Sequence, residues 1–376
     1  MSLSPPVPSP APAPPPALDL HRLKEPVEQV LNSFLGQKAA STTDEGRLPN
    51  LAEPLQDFLA AGGKRIRPVL AMVGWHAAGA TGNPRTAHHL AASLELFHAF
   101  ALIHDDVMDR STTRRGQPTV HCAQADQYEQ RPPGTMSGRL AGTSADRFGE
   151  GAAILIGDLA LVWSDELLHA GHPTADQLAH VLPLLDEMRT EVTLGQYLDL
   201  AHTGYASPDV ETALTVIRYK TAKYTVERPL HLGAALTGAD QTLLEALSAY
   251  AIPLGEAFQL RDDLLGVFGD PALTGKPAMD DLREGKATVL IALTLQRARR
   301  AQADQLRLFL GCRTLTEDQA DAVRRIVVAT DADRTVNHMI TERHRKALAA
   351  LDRAPVDPAA ANALRRLADQ AVRRTA

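Results

Sequence analysis

Cysteine is nearly absent: Cys122 and Cys312 are the only two in 376 residues, too few for a disulfide framework and in no metal-ligand spacing. Aromatic residues make up 4% of the chain while hydrophobic residues reach 44%. The core must therefore come from aliphatic side chains, chiefly Ala and Leu, a composition that suits helices better than sheets. No apolar run approaches the roughly 18 residues a spanning helix needs, so no integral membrane segment is expected. No N-terminal stretch couples a charged start to an apolar core as a signal peptide does, and the expected location is the cytoplasm. Positive charge is not in excess either. The formal net charge is −6, which argues against general nucleic-acid binding. An acidic protein that takes an anionic substrate must hold it with local cations and bound metal, not with its overall field.

What the chain does have is helical periodicity. From about Leu20 onward apolar residues recur every three or four positions, as in His88 to Met108, Asp176 to Leu200, Thr242 to Phe268 and Arg334 to Leu351. No β-branched alternation is convincing, and no period of 20–50 residues suggests a helical repeat array. The fold is expected to be all-α. Residues 1–19, Pro/Ala-rich between Pro5 and Pro16, should form a disordered tail; residues 20–376 should form one helical domain. Three places break the rhythm. Ala123 to Gly149 reads as a long loop. Pro183 and Pro229 should kink or interrupt their helices. Leu264 to Lys286, rich in Gly, Pro and charge, lies where a lid would follow the second of two acidic clusters.

Those clusters carry the chemistry. Asp105-Asp106-Val107-Met108-Asp109 and Asp262-Asp263 each end an apolar helical stretch. Asp105 and Asp109 share one helix face, and carboxylates massed on a face repel unless a cation is present. Two such helices facing each other would suit Mg²⁺, which bridges carboxylates to substrate phosphates. Cations stand nearby. Gly62-Gly63-Lys64-Arg65-Ile66-Arg67-Pro68 makes an anion-binding corner without P-loop spacing. Arg114-Arg115-Gly116 follows the first cluster closely, so metal and guanidinium can clamp opposite sides of one diphosphate. Lys220-Thr221, Gly275-Lys276 and Gly285-Lys286-Ala287-Thr288 offer further phosphate donors. Singly, each is an ordinary surface charge.

Together, these segments resemble the trans-isoprenyl diphosphate synthases, the polyprenyl synthetase family. The likeness runs in the family's order through GGKRIRP, LELFHAFALIHDDVMDRSTTRRGQPTVH, AILIGDLAL, LGQYLDL, YKTAKYT, FQLRDD and GKPAMDDLREGKATVL. It implies a bundle of long helices around a central cavity, and Mg²⁺-dependent head-to-tail condensation of isopentenyl diphosphate with an allylic diphosphate. Asp105, Asp106, Asp109, Asp262 and Asp263 match the residues that hold three Mg²⁺ ions on the allylic diphosphate. Arg114, Lys220, Lys286 and Lys276 match cations of that site, and Gln259 and Thr221 its polar neighbours. Lys64, Arg67, His98 and Arg115 match the isopentenyl diphosphate site, and Gln196 and Asp199 a segment along the same cavity. The departing diphosphate is the expected proton acceptor. A homodimer is implied, with His88 to Met108 near its interface.

In the family, bulky residues five and four positions before the first motif form a floor that stops chain growth. Here they are Phe100 and Ala101; Phe100 lies roughly 7–8 Å deeper than Asp105 by helical rise. The pair resembles makers of geranylgeranyl diphosphate (C20), with farnesyl diphosphate (C15) as an alternative. One departure stands out: the usual third acid of the second motif is Gly266, with Asp270 the next candidate and lower metal affinity the expected result. A class I terpene cyclase and a non-catalytic binding subunit are the rivals. The cyclase has no use for Lys64, Arg67 and Arg115, and the intact first motif weighs against the subunit. His104 is expected to hydrogen-bond beside the site rather than to bind metal.

Overall fold

The computed structural model describes residues 18–41, 49–131, 144–269 and 279–373. Residues 1–17 of the tail, Asp270 and Lys276 lie outside the described residues. As expected, the fold is all-α. Its helices are α1 (Lys24–Ser41), α2 (Ala52–Ala60), α3 (Ile66–Ala77), α4 (Pro84–Asp109), α5 (Val120–Glu129), α6 (Ala145–Ala170), α7 (Ala175–His202), α8 (Val210–Val216), α9 (Arg228–Ala235) and α10 (Gln241–Phe268). They continue with α11 (Asp280–Glu284), α12 (Val289–Arg297), α13 (Arg300–Phe309), α14 (Glu317–Ala329), α15 (Ala332–Leu351) and α16 (Pro358–Val372). Between α8 and α9, Ile217–Glu227 is wound as a π-helix.

Helix α4 is the axis on which the site is built. Asn83 caps it by accepting from the Arg85 N–H, Pro84 takes the first turn where no N–H is needed, and Arg110 ends it in the left-handed region (φ 55°). Its 26 residues rise roughly 40 Å. Leu90, Leu94, Phe97 and Ile103 are buried in an aliphatic core shared with α6 and α7. A second core joins α10, α12, α14 and α15, and a third joins α3, α9, α10 and α16. After α4 the chain makes a two-residue hairpin, β1 (Thr113–Arg114) against β2 (Gln117–Pro118), paired Thr113 to Pro118 and Arg114 to Gln117. Arg115 and Gly116 form its tip, both with positive φ, as tight hairpins of this kind require.

Two expectations need correction. Ala123 to Gly149 is not one loop: Val120–Glu129 is helix α5, and α6 already begins at Ala145. Gly149 works there as a packing residue, since a Cβ on it would lie 2.1 Å from the His121 carbonyl oxygen. Pro183 does not interrupt α7, which runs through it. Pro183 is exposed, so the carbonyl it leaves without an N–H partner can face water. Pro229 does not interrupt the helix either: Glu227 and Arg228 keep helical dihedrals, and the winding passes from π to α there, at the start of α9.

Candidate active site

The site begins with the register of α4. A helical repeat puts His98, Ala101, Asp105 and Asp109 on one face, while Asp106 is rotated away from it. Asp105 accepts from Gln196 Nε2 at 2.9 Å and from Lys220 Nζ at 3.1 Å. Lys220 also reaches Asp199 Oδ2 at 2.6 Å. One turn on, Asp109 meets Lys286 Nζ at 3.2 Å, and Lys286 is shared with Glu284 at 3.0 Å. Each carboxylate on this face is thus held by a lysine from another part of the chain.

Asp106 has a different partner. It is buried, and the Arg114 guanidinium grips it through Nε and Nη2 at 2.7–2.9 Å. The same Nη2 lies 3.7 Å from Asp105. The hairpin therefore folds Arg114 back onto the first acidic cluster. Arg115, at the tip, projects to Gly63, where its guanidinium would stand 3.0–3.2 Å from a Cβ. That approach joins the arginine pair to the Gly62-Gly63-Lys64 corner.

The second acidic cluster sits near the end of α10. Asp263 is buried and accepts from Gln259 Nε2 at 2.9 Å; Gln259 in turn accepts from the Thr221 hydroxyl at 2.9 Å. Thr221 and Lys220 come from the π-helical segment, which two glycines allow to lie unusually close to its neighbours. A Cβ on Gly195 of α7 would sit 2.4 Å from Lys220 N, and one on Gly255 of α10 would sit 2.4 Å from Ala222 Cα. Glu191 on α7 fastens the far end, taking Arg228 at 2.7 and 2.8 Å and pairing with Lys223. The extra residue per turn of a π-helix is a common device for aiming side chains at functional sites.

A third group of side chains lies toward α3. Arg67 donates to the Thr225 hydroxyl at 2.6 Å and stacks 4.2 Å above the Tyr224 ring. The Tyr224 hydroxyl is 3.2 Å from His98 Nδ1. Arg65, between Lys64 and Arg67, is tied to the buried Glu95 at 2.6 Å and to the Leu59 carbonyl. Arg65 is thereby committed to the scaffold.

The charges set one another. Burial works to raise the Asp105 carboxyl, but Lys220, Lys286 and Arg114 overcome it and bring it down to about 2. Asp106 and Asp109 stay raised by burial despite Arg114 and Lys286 respectively. Burial opposes the charge on Lys286, yet Asp109, Asp281, Glu284 and Asp105 lift it well above the usual lysine range. Asp263 is pushed up to about 8 by burial, with Asp281 and Asp262 adding to it. Burial, then Arg67, Arg114, Arg115 and Arg65, hold His98 well below the usual imidazole range, so it is neutral.

Most of the described site residues named from the sequence fall into these three groups; Asp262 follows from its place beside Asp263 on α10, and Lys64 from its place beside Gly63. Phe100 and Ala101 lie apart, deeper along α4. Ala101 follows the face of Asp105, whereas the Phe100 ring packs 5.3 Å from Phe97 and 4.8 Å from His104, toward α6. His104 Nε2 lies 3.1 Å from the Ile154 carbonyl oxygen. Sequence reasoning missed Tyr224, Asp281 and Glu284. The last two stand inside the quoted segment GKPAMDDLREGKATVL, five and two residues before Lys286 respectively, where acids spaced to meet a lysine were the available signal.

The donors offered by the two acidic clusters are all carboxylate oxygens, which suits a hard divalent cation. Among the described residues no three His, Cys, Asp or Glu side chains close into a ready-made cage. Mg²⁺ needs none, since it keeps waters and takes phosphate oxygens as ligands. Among the described residues no helix is long and apolar enough to cross a membrane.

Two acidic clusters that both sense the Lys286 charge, on this all-α scaffold, fit an enzyme of the isoprenoid synthase fold. The polyprenyl synthetase family matches residues 48–327, and the chain belongs to it; it is a prenyltransferase, a trans-prenyl diphosphate synthase. A geranylgeranyl pyrophosphate synthase from Corynebacterium glutamicum, solved with isoprenyl diphosphate and magnesium, superposes with a TM-score of 0.89 at 40% identity, covering 95% of this chain and 100% of that one. A (2E,6E)-farnesyl diphosphate synthase of Mycobacterium bovis is 35% identical over 70% of this chain and 67% of its own length. A geranylfarnesyl diphosphate synthase of Aeropyrum pernix is 33% identical over 65% and 70%.

Proposed function

We infer that the protein condenses isopentenyl diphosphate with an allylic diphosphate to give geranylgeranyl diphosphate. The observation that carries this reading is the pair of half-buried lysines, Lys220 and Lys286, each hung between carboxylates of different helices beside the first acidic cluster. Asp105, Asp109 and Asp262 are the residues that would hold Mg²⁺; the Corynebacterium relative was solved with isoprenyl diphosphate and magnesium. Bound there, the metal would supply Lewis acidity and neutralise the leaving diphosphate.

The chain's own residues do the rest. Lys220, Lys286 and Arg114 offer fixed positive charge where the leaving group gains negative charge, which lowers the barrier to carbon–oxygen cleavage. Lys64, Arg67 and Arg115 hold the second diphosphate, with Tyr224 stacked under Arg67. His98, neutral and hydrogen-bonded, orients that wall and adds no charge. With no strong base at hand, the departing diphosphate takes the proton. The small Ala101 on the Asp105 face and the bulky Phe100 one position deeper are in keeping with a C20 product. The exposed apolar stripe of Ile154, Leu155 and Val162 on α6, which covers α4, supports a homodimer formed through that face.

The test is incubation of the protein with Mg²⁺, isopentenyl diphosphate and dimethylallyl, geranyl or farnesyl diphosphate in parallel. Products are dephosphorylated and weighed by mass spectrometry. A C20 linear alcohol is expected; C15 or longer alcohols would overturn the assigned length, and a cyclic hydrocarbon the reaction. Phe100→Ala should lengthen the product, and an unchanged product would place the floor elsewhere.

A further inference from the structure

The second acidic cluster lacks a side chain at position 266, one turn beyond Asp262 and Asp263. A Cβ built on Gly266 would lie 1.9 Å from Asp281 Oδ2 and 2.8 Å from its Cγ. No real Cβ tolerates such an approach, so the Asp281 carboxylate occupies the volume that a side chain at 266 would enter. Asp281 belongs to α11, on the far side of the segment that follows α10. Its charge is felt by the acids and the lysine already placed in the site: it pushes up Asp263, Glu284 and Lys286.

We propose that Asp281 supplies the carboxylate missing from position 266, so that α11 rather than α10 completes the second metal-binding wall. The proposal rests on the metal–diphosphate reading above. Gly266 and Asp281 form one device: without a side chain at 266, α11 can bring its acid down onto α10. The carboxylate is held there by the anchoring of α11 and the residues after it. The Leu282 carbonyl accepts from Gly311 N and the Gly285 carbonyl from Gly204 N, both at 2.8 Å. Glu284 accepts from the Ser111 hydroxyl at 3.2 Å and pairs with Lys286. The third carboxylate therefore arrives with the segment that carries Lys286. Metal affinity should depend on how that segment docks, which an acid fixed on α10 would not require.

Mn²⁺ binding in the presence of inorganic diphosphate, followed by the electron paramagnetic resonance of the free ion, reads this without turnover. Asp281→Asn should weaken binding about tenfold or more, the usual loss when a group supporting a metal site is removed. Asp281→Ala should do the same, and the exchange variant Gly266→Asp/Asp281→Ala should recover most of the affinity. Wild-type affinity in Asp281→Asn would overturn the proposal, as would an exchange variant that binds no better than Asp281→Ala. If the wild-type protein itself bound no Mn²⁺ with diphosphate, the metal–diphosphate reading would fall and this assignment with it.

Discussion

Lys220 carries two roles at the residue scale. It satisfies Asp105 and Asp199 at once, and it is the foremost reason the Asp105 carboxyl stays ionised against burial. Lys220→Met should therefore lower kcat by roughly a hundredfold, the order of loss for one preorganised electrostatic donor. It should also shift the acid limb of the rate profile upward in pH, because Asp105 would then titrate at milder acidity. A rate profile measured from acid to neutral pH, with no shift of that limb, would refute the coupling. Asp263 gives a stability prediction with the opposite sign. Its carboxyl lies near 8 in the folded protein against 3.8 ordinarily. Across that window the folded state binds more protons than the unfolded chain, so this group's contribution to stability falls as pH rises. Asp263→Asn should melt higher than wild type at pH 8 without metal and nearly together with it at pH 4. Parallel melting curves across that range would contradict this.

Among the elements, the π-helical segment is the least legible in the sequence. Pro229 suggests a break that does not occur, and nothing in YKTAKYT announces a wider winding before it. The winding follows from partners distant in sequence: Gly195 and Gly255 on either side, and Glu191 holding Lys223 and Arg228. Gly195→Ala should cost about 1–3 kcal/mol, as overpacking does, and should lower kcat by displacing Lys220; thermal and kinetic assays together would show both losses or reject the account. Helices α4, α7, α10 and α15 were legible because long aliphatic periodicity survives any local exception. Helix α5 was not, since Gln124 takes a core position and its buried residues are only Val120, Gln124, Ala125 and Tyr128. The start of α6 misled for a related reason. Its glycines read as loop, while Gly149 in fact admits the backbone of α5. In the site, the carboxylates and most cations were legible from motif order. Tyr224, Asp281 and Glu284 were not, because their placement depends on tertiary packing of the π-helical segment and α11.

For the whole molecule, the apolar surface is distributed unevenly. Leu155 and Val162 on α6 are 63% and 60% exposed, and Leu194 and Tyr197 on α7 are exposed as well. These faces back directly onto the helices that carry Asp105, Gln196 and Asp199, so an interface there would stiffen the site from behind. The wild type is expected to sediment as a dimer and a Leu155→Glu/Val162→Glu variant as a monomer, whose activity should fall with the loss of that support. A wild type that sediments as a monomer would remove the argument.

The lysines beside the first acidic cluster have one more consequence. Each carboxylate already has an internal counter-ion, so a lone metal ion must displace an ammonium group from it and leave that group with Asp199 or Glu284 alone. Diphosphate gives that ammonium a new partner. Metal and diphosphate should therefore enter cooperatively, each raising the affinity for the other by the same factor. Free cations in the surroundings would then titrate the resting protein poorly, and substrate would act as the gatekeeper for its own cofactor.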